Sequence, residues 1–268
     1  MPTHEIDDAA DPRLADFVGL RDADLRRRFE DARGIFIAEG ITVVRRLLAS
    51  PYAVRTVLVT APLRERLRDA LTDDVEVVVT TRSVMAEVAG FDLHRGAVAS
   101  ADRLPPADLE AALAGARTVA VLEGLNDAEN LGAIARSARA LGVDALLLDP
   151  TCADPLYRRT VRVSMGEILF LRLVRTGPVA ALVPTLHAHG YEVLALTPAH
   201  DATDLRQISR APGDKLALVL GAEGPGLSDA ALRAADRRVR IALAGDVDSL
   251  NVGHAAAIAF DRLAVRVE

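Results

Sequence analysis

Short, almost uninterrupted apolar runs recur through the second half of this chain, at Thr118–Leu122, Ala145–Leu148, Leu173-Val174, Val193–Leu196, Leu216–Leu220 and Val239–Leu243. A strand with one wet face alternates apolar and polar residues. These runs do not alternate, so each predicts a strand covered on both faces, as in a parallel sheet. Parallel neighbours need crossover connections. Helical stretches fit at Leu131–Leu141, Val179–Ala188, Asp229–Ala235 and Val252–Val265. The expected fold class is therefore α/β with a parallel sheet. Open sheets of this kind bind ligands beyond the carboxyl ends of their strands, so the residues that follow each run are the first candidates for a site.

The first hundred residues repeat the rhythm on a smaller scale. Ile35-Phe36-Ile37, Thr56–Val59 and Val75–Val79 read as strands, and Ile41–Leu48, Leu63–Leu71 and Ser83–Val88 as helices. This predicts a small α/β layer structure ending near Ala97-Val98-Ala99. Residues 1–20 look like an irregular lead-in. Pro105-Pro106, inside Ala101–Asp108, marks a stiff, helix-breaking linker. The expected organisation is a lead-in over 1–20, a small domain over 21–104 and a larger one over 105–268.

Composition narrows the function by exclusion. Half of the 268 residues are hydrophobic, enough for a substantial core. No apolar run approaches the ~18 residues of a membrane span. The first residues are acidic and mixed rather than basic-then-apolar, and the single cysteine, Cys152, has no internal disulfide partner. We expect a soluble cytoplasmic protein. The net charge of −6 is spread over both halves and does not advertise nucleic-acid binding, although a local patch can bind phosphate on an acidic protein. Lys215 is the only lysine. Arginine suits bidentate phosphate contacts, and a general bias toward Arg and Ala accounts for its abundance equally simply. There is no G-x-G-x-x-G after a strand, no P-loop, no C-x-x-C and no H-E-x-x-H. A metal is not expected.

Three segments carry the chemistry. In Val121–Val143 a strand ends, a polar loop follows, and Asn130 is placed to open a helix that carries Arg136 among small residues. A capped helix with a solvated arginine would look the same. In Ala217–Ser228 an apolar strand runs into G-A-E-G-P-G, a tight loop whose backbone can approach a ligand, with Glu223 as its lone acid. A plain glycine turn capped by Ser228 is the simpler reading. In Val239–Asp261 a strand over Arg240–Leu243 leads to a polar loop, and Ser249-Leu250-Asn251 opens an Ala-rich helix whose free amides suit an anion. His254, one turn in, reads as a packed or solvated histidine.

In this order and spacing the three segments resemble the signature motifs of the SpoU/TrmH family of RNA 2′-O-ribose methyltransferases. The resemblance covers residues 118–265. More weakly, residues 20–100, best at Phe36-Ile37-Ala38-Glu39-Gly40, resemble the ribosomal-protein-like domain that often precedes such enzymes. The resemblance implies a trefoil knot at the C-terminal end of the sheet, a homodimer and S-adenosylmethionine (SAM) as cofactor. It further implies RNA as partner, with ribosomal RNA favoured over transfer RNA, and no DNA or membrane. Carried over residue by residue, it implies catalytic positions at Asn130, Arg136, Glu223, Ser249 and Asn251. The implied cofactor positions are Thr197, Leu220, Gly221, Gly224, Ile241, Leu243 and Leu250. The sequence departs from the pattern at Ala128, Ala222, Ala242 and Gly253, where proline, asparagine, proline and serine are common. None of these removes a polar group named above.

Two mechanistic roles fit Arg136. Family accounts make the arginine a proton acceptor. A guanidinium stays protonated in proteins, so a bidentate phosphate contact that aligns the ribose is the more comfortable role. A non-catalytic RNA-binding or ribosome-assembly protein that keeps the fold, and a base-methylating knotted enzyme, are the rival readings. Ser249-Leu250-Asn251-Val252 favours the ribose group over the latter.

Overall fold

The computed structural model describes residues 2–93, 96–211, 213–245 and 247–264. The chain divides into two compact units. The first takes the chain up to Pro105 together with Leu156–Phe170. Its strands are β1 (Thr3–Glu5), β2 (Ile35–Glu39), β3 (Val54–Val59), β4 (Glu76–Val79) and β5 (Ala97–Asp102). Helices α1 (Ala23–Arg33), α2 (Ile41–Leu48), α3 (Ala61–Leu67) and α4 (Arg82–Ala89) accompany them. The sheet order is β1-β4-β3-β5-β2, with β1, β4 and β3 parallel and β5 antiparallel to both neighbours. Every residue of β2 is buried, so the sheet is covered on both faces at that edge.

The lead-in is not irregular. β1 pairs with β4, and Pro12–Phe17 forms a short 3-10 turn that buries Leu14 and Phe17 against Ile37, Leu58 and Met85. A three-residue strand is too short to show alternation, and one apolar pair three residues apart forms no pattern. α1 also escapes a periodicity reading, because R-R-R-F-E-D offers little apolar face. It is held instead by Arg26, which is 4% exposed, pairs with Glu30 at 3.0 Å and donates to the Asp16 carbonyl at 2.8 Å.

The second unit, Pro106–Pro155 and Leu171 onward, is built on β6 (Thr118–Glu123), β7 (Ala145–Leu148), β8 (Arg172–Arg175), β9 (Tyr191–Leu196), β10 (Thr203–Asp204), β11 (Lys215–Gly221) and β12 (Arg237–Arg240). The order is β10-β12-β9-β11-β6-β7-β8, and all pairs are parallel. The helices are α5 (Leu109–Leu113), α6 (Ala128–Leu141), α8 (Val179–Ala188), α9 (Asp229–Ala234) and α10 (Val252–Leu263). Val119, Val121, Ala217 and Val219 face α5, α8 and α9 in one apolar core. Their neighbours Ala120, Leu122, Leu218 and Leu220 are buried on the opposite face, where α6 and α10 pack against each other.

Three expectations need correction. The strand expected over Val239–Leu243 ends at Arg240, and Ile241–Leu243 leave the sheet. Asn130 does not open α6. Asp127 does, accepting from the amides of Glu129 and Asn130 at 2.7 and 2.9 Å. The C-terminal stretch is not one continuous unit either, because Leu156–Phe170, including helix α7 (Arg158–Val163), belongs to the first unit. There α7 lies on β2, and Arg158 and Arg162 both pair with Glu39, which is 5% exposed. Such long-range ion pairing has no local sequence signal. Val265, the expected end of the last helix, lies outside the described residues.

Candidate functional site

A cavity of about 390 Å3 lies at the carboxyl ends of β9, β11 and β12. Leu196, Leu220, Ile241, Leu243 and Leu250 form apolar wall, and Thr197, Gly221, Gly224, Ser249 and Asn251 also line it. Every residue expected to hold a cofactor therefore lines one cavity. Its volume falls within the ~300–1,000 Å3 usual for small-molecule sites. The glycine loop shapes one side. A Cβ on Gly221 would lie 2.4 Å from the Gly226 carbonyl carbon, so the turn closed by the Gly226 amide on the Ala222 carbonyl at 3.0 Å admits only glycine there. Gly224, at φ 86°, has open space where a side chain would project.

One side chain joins the three motifs. Asn251 Nδ2 donates to Glu223 Oε1 at 2.5 Å and to Asn130 Oδ1 at 2.8 Å. The Oδ1 of the same amide caps α10, accepting from the amides of Gly253 and His254 at 3.0 and 3.3 Å. Glu223 also accepts from the Val252 amide at 3.3 Å, so its carboxylate sits at the positive end of α10. Glu223 thus orients Asn251. Because Asp127 caps α6, the Asn130 side chain is free to take part.

The remaining candidates lie apart. Arg136 is exposed on α6, with no hydrogen-bond or ion-pair partner among the described residues. Six residues from Asn130, it stands about 9 Å further along the helix axis and does not line the cavity. Ser249 lines the cavity but is exposed, and Asn251 alone caps the helix. His254 is exposed. Of the departures, Gly253 has a steric reason: a Cβ there would come within 3.1 Å of the Ala133 Cβ where α10 crosses α6.

Two acids that the sequence reading passed over fix the loops. Glu123, at the end of β6, accepts from the Ser228 amide and hydroxyl, both at 2.8 Å, and so ties β6 to the far end of the glycine loop. Asp149, 6% exposed, accepts from the amides of Gly124, Thr151 and Cys152 at 3.2, 3.0 and 3.0 Å. Burial alone would raise its carboxyl, but these hydrogen bonds and those of the Thr151 hydroxyl hold it below the usual range. Burial, and then the neighbouring Asp149 carboxylate, push the Cys152 thiol up to about 12, which removes it as a nucleophile at neutral pH. Acids closing strands in Val-Leu-Glu-Gly and Leu-Leu-Asp-Pro were the available signal. Among the described residues no group of His, Cys, Asp or Glu is arranged to hold a metal, and no helix is long and apolar enough to cross a membrane.

The chain is similar to known proteins in sequence and in fold. The SpoU rRNA Methylase family model matches residues 117–261, and the MRM3-like substrate binding domain model matches residues 23–99. An uncharacterized tRNA/rRNA methyltransferase of Mycobacterium tuberculosis is 44% identical over 262 residues, 97% of this chain and 91% of the relative. The crystal structure of an AdoMet-bound rRNA methyltransferase from Sinorhizobium meliloti superposes with a TM-score of 0.78 at 23% identity, covering 97% of each chain. That of an RNA 2′-O ribose methyltransferase superposes with a TM-score of 0.76 at 26% identity, again over 97% of each. Fold and site define a methyltransferase built on a parallel α/β sheet. The chain belongs to the SpoU rRNA methylase family.

Proposed function

We propose that the protein transfers a methyl group from SAM to a ribose 2′-hydroxyl in RNA, with ribosomal RNA as the favoured substrate. The observation that carries this reading is the Asn251 side chain, which bonds Asn130 and Glu223 beside the glycine-edged cavity. The family match and the likeness to an RNA 2′-O ribose methyltransferase support it.

The cavity fits SAM. Leu196, Leu220, Ile241, Leu243 and Leu250 offer apolar surface for an adenine, while Thr197 and the Gly221–Gly226 backbone offer polar atoms. SAM supplies an activated methyl group when bound. The chain's own task is to place a weak nucleophile and let it lose a proton. Asn130 and Asn251, locked by Glu223, give a rigid polar edge where a ribose would meet the cavity. Arg136, exposed and without a partner among the described residues, is available to grip a neighbouring phosphate through two parallel hydrogen bonds. Requiring a 2′-hydroxyl excludes DNA. No step calls for a metal. A homodimer, a trefoil-knotted C-terminal segment and a cytoplasmic location complete the proposal. Mapping 2′-O-methyl positions in RNA from a strain lacking the gene tests it. One or more ribosomal sites should lose their methyl group, and an unchanged map would overturn the reading.

A further inference from the structure

We propose that Glu123 is a positioning residue for the cofactor, holding the glycine loop at the width that SAM requires. The proposal rests on SAM occupying the glycine-edged cavity. A second cavity, of about 530 Å3, lies behind the same loop, bordered by Glu123, Asn126, Asp149 and Thr151. Ala222, Glu223 and Gly226 line both cavities, so the loop is a partition with open space on each face. Glu223, Gly224, Pro225 and Gly226 are exposed, and a Cβ on Gly224 or Gly226 would meet nothing within 4 Å. Packing therefore does not fix the tip of the partition, and its position depends on hydrogen bonds at its two ends. Glu223 holds the near end, through Asn251 and the Val252 amide.

Glu123 holds the far end. It is the last residue of β6 and lies opposite Gly221, the last residue of β11, in the parallel register. From there its carboxylate accepts from the Ser228 amide on one oxygen and from the Ser228 hydroxyl on the other, each at 2.8 Å. One side chain thus reaches from the strand beside the start of the loop to the residue that ends it. A carboxylate only accepts, so it turns the Ser228 hydroxyl proton toward itself and leaves the hydroxyl oxygen to accept from the Ala231 amide at 3.1 Å. Ser228 is thereby fixed both to β6 and to the first turn of α9, whose Ala231 is buried in the core. Hydrogen bonds to an ionised acceptor are the stronger kind. A loop held in its bound shape before the ligand arrives loses less freedom on binding, so the effect of Glu123 falls on SAM affinity.

Calorimetry with SAM on the full chain tests the role, using Glu123→Ala, Glu123→Gln, Ser228→Ala and the double variant Glu123→Ala/Ser228→Ala. Glu123→Ala should weaken SAM binding about tenfold with its stoichiometry retained, the loss expected when two charge-assisted hydrogen bonds go. Glu123→Gln, which keeps one accepting oxygen and loses the charge, should lose about threefold. The double variant should bind no more weakly than Glu123→Ala alone, because the two residues act as one unit. Turnover should show a raised KM for SAM, with kcat at saturating SAM close to that of the wild type. A merely structural role gives the opposite pattern, a reduced stoichiometry at unchanged affinity, because the fraction of folded chain falls. That pattern, or wild-type affinity in Glu123→Ala, overturns the proposal. A wild type that binds SAM, with Gly221→Ala impaired and Glu123→Ala not, overturns the role of Glu123 and leaves SAM in the cavity. A wild type that does not bind SAM overturns both readings.

Discussion

Arg136 and Asn251 divide the labour at the scale of single residues. Arg136 is exposed and bonds to none of the described residues, so Arg136→Ala should melt like the wild type and bind SAM normally while single-turnover methyl transfer falls by about 10²-fold, the loss that small misalignments produce. Arg136→Lys keeps the charge and loses the planar fork. A large loss with lysine indicates bidentate phosphate holding, and near-normal turnover in Arg136→Ala would remove it from the reaction. Asn251 both caps α10 and bridges Asn130 to Glu223. Serine caps a helix about as well as asparagine but has no amide to bridge with. Asn251→Ser should therefore keep its melting temperature and lose about tenfold or more in turnover, whereas equal losses in stability and turnover would make the residue structural. Asp149 acts on stability. Its folded carboxyl lies below the usual value, so its contribution is complete above about pH 4 and fades as the pH falls through the folded value. Asp149→Ala, which leaves three amides without their acceptor, should cost about 1–3 kcal/mol at neutral pH, a difference that shrinks in acid. Denaturant melts at pH 7 and pH 3 measure both.

Among elements, the glycine loop after β11 has the least tolerance. A Cβ at Gly221 would collide with backbone rather than with a flexible side chain. Gly221→Ala should weaken SAM binding by about tenfold or more, the equivalent of ~1–3 kcal/mol of overpacking. Unchanged affinity by calorimetry would place SAM elsewhere. The central parallel strands β6, β7, β9 and β11 were legible because burial on both faces writes itself as runs of Val, Leu and Ala, whereas the two-residue edge strand β10, Thr203-Asp204, carries no such run and was missed. α8 was legible to its ends, even with Pro184 inside it. The same signal misled at β12: Ile241 and Leu243 are apolar because they wall a cavity, and an apolar wall reads like a strand. At α6, D-A-E-N offers two residues able to cap, and only the structure shows Asp127 taking that place and leaving Asn130 to the site. Of the site, the lining residues could be read from motif order, while the ties made by Glu123 and Asp149 depend on contacts distant in sequence.

For the whole molecule, the discontinuous first unit changes what truncation should do. A chain beginning at Ala107 keeps Leu156–Phe170 but loses the β2 and Glu39 on which α7 rests. It should bind SAM but melt less cooperatively than the full chain; a melt as sharp as the full chain's would show that the segment folds without its unit. Association is expected through α10, whose outer face exposes Ile258 at 43%, with Val247 and Leu250 also exposed in the loop before it. Sedimentation over a concentration series should give a dimer, and a strict monomer at high concentration would contradict that. The central claim is the position of the transferred methyl group. Ribosomal RNA from a deletion strain, incubated with the protein, isotope-labelled SAM and excess EDTA, should yield labelled 2′-O-methylnucleosides on digestion and mass spectrometry. Label on a nucleobase, or none without added metal, would contradict the account.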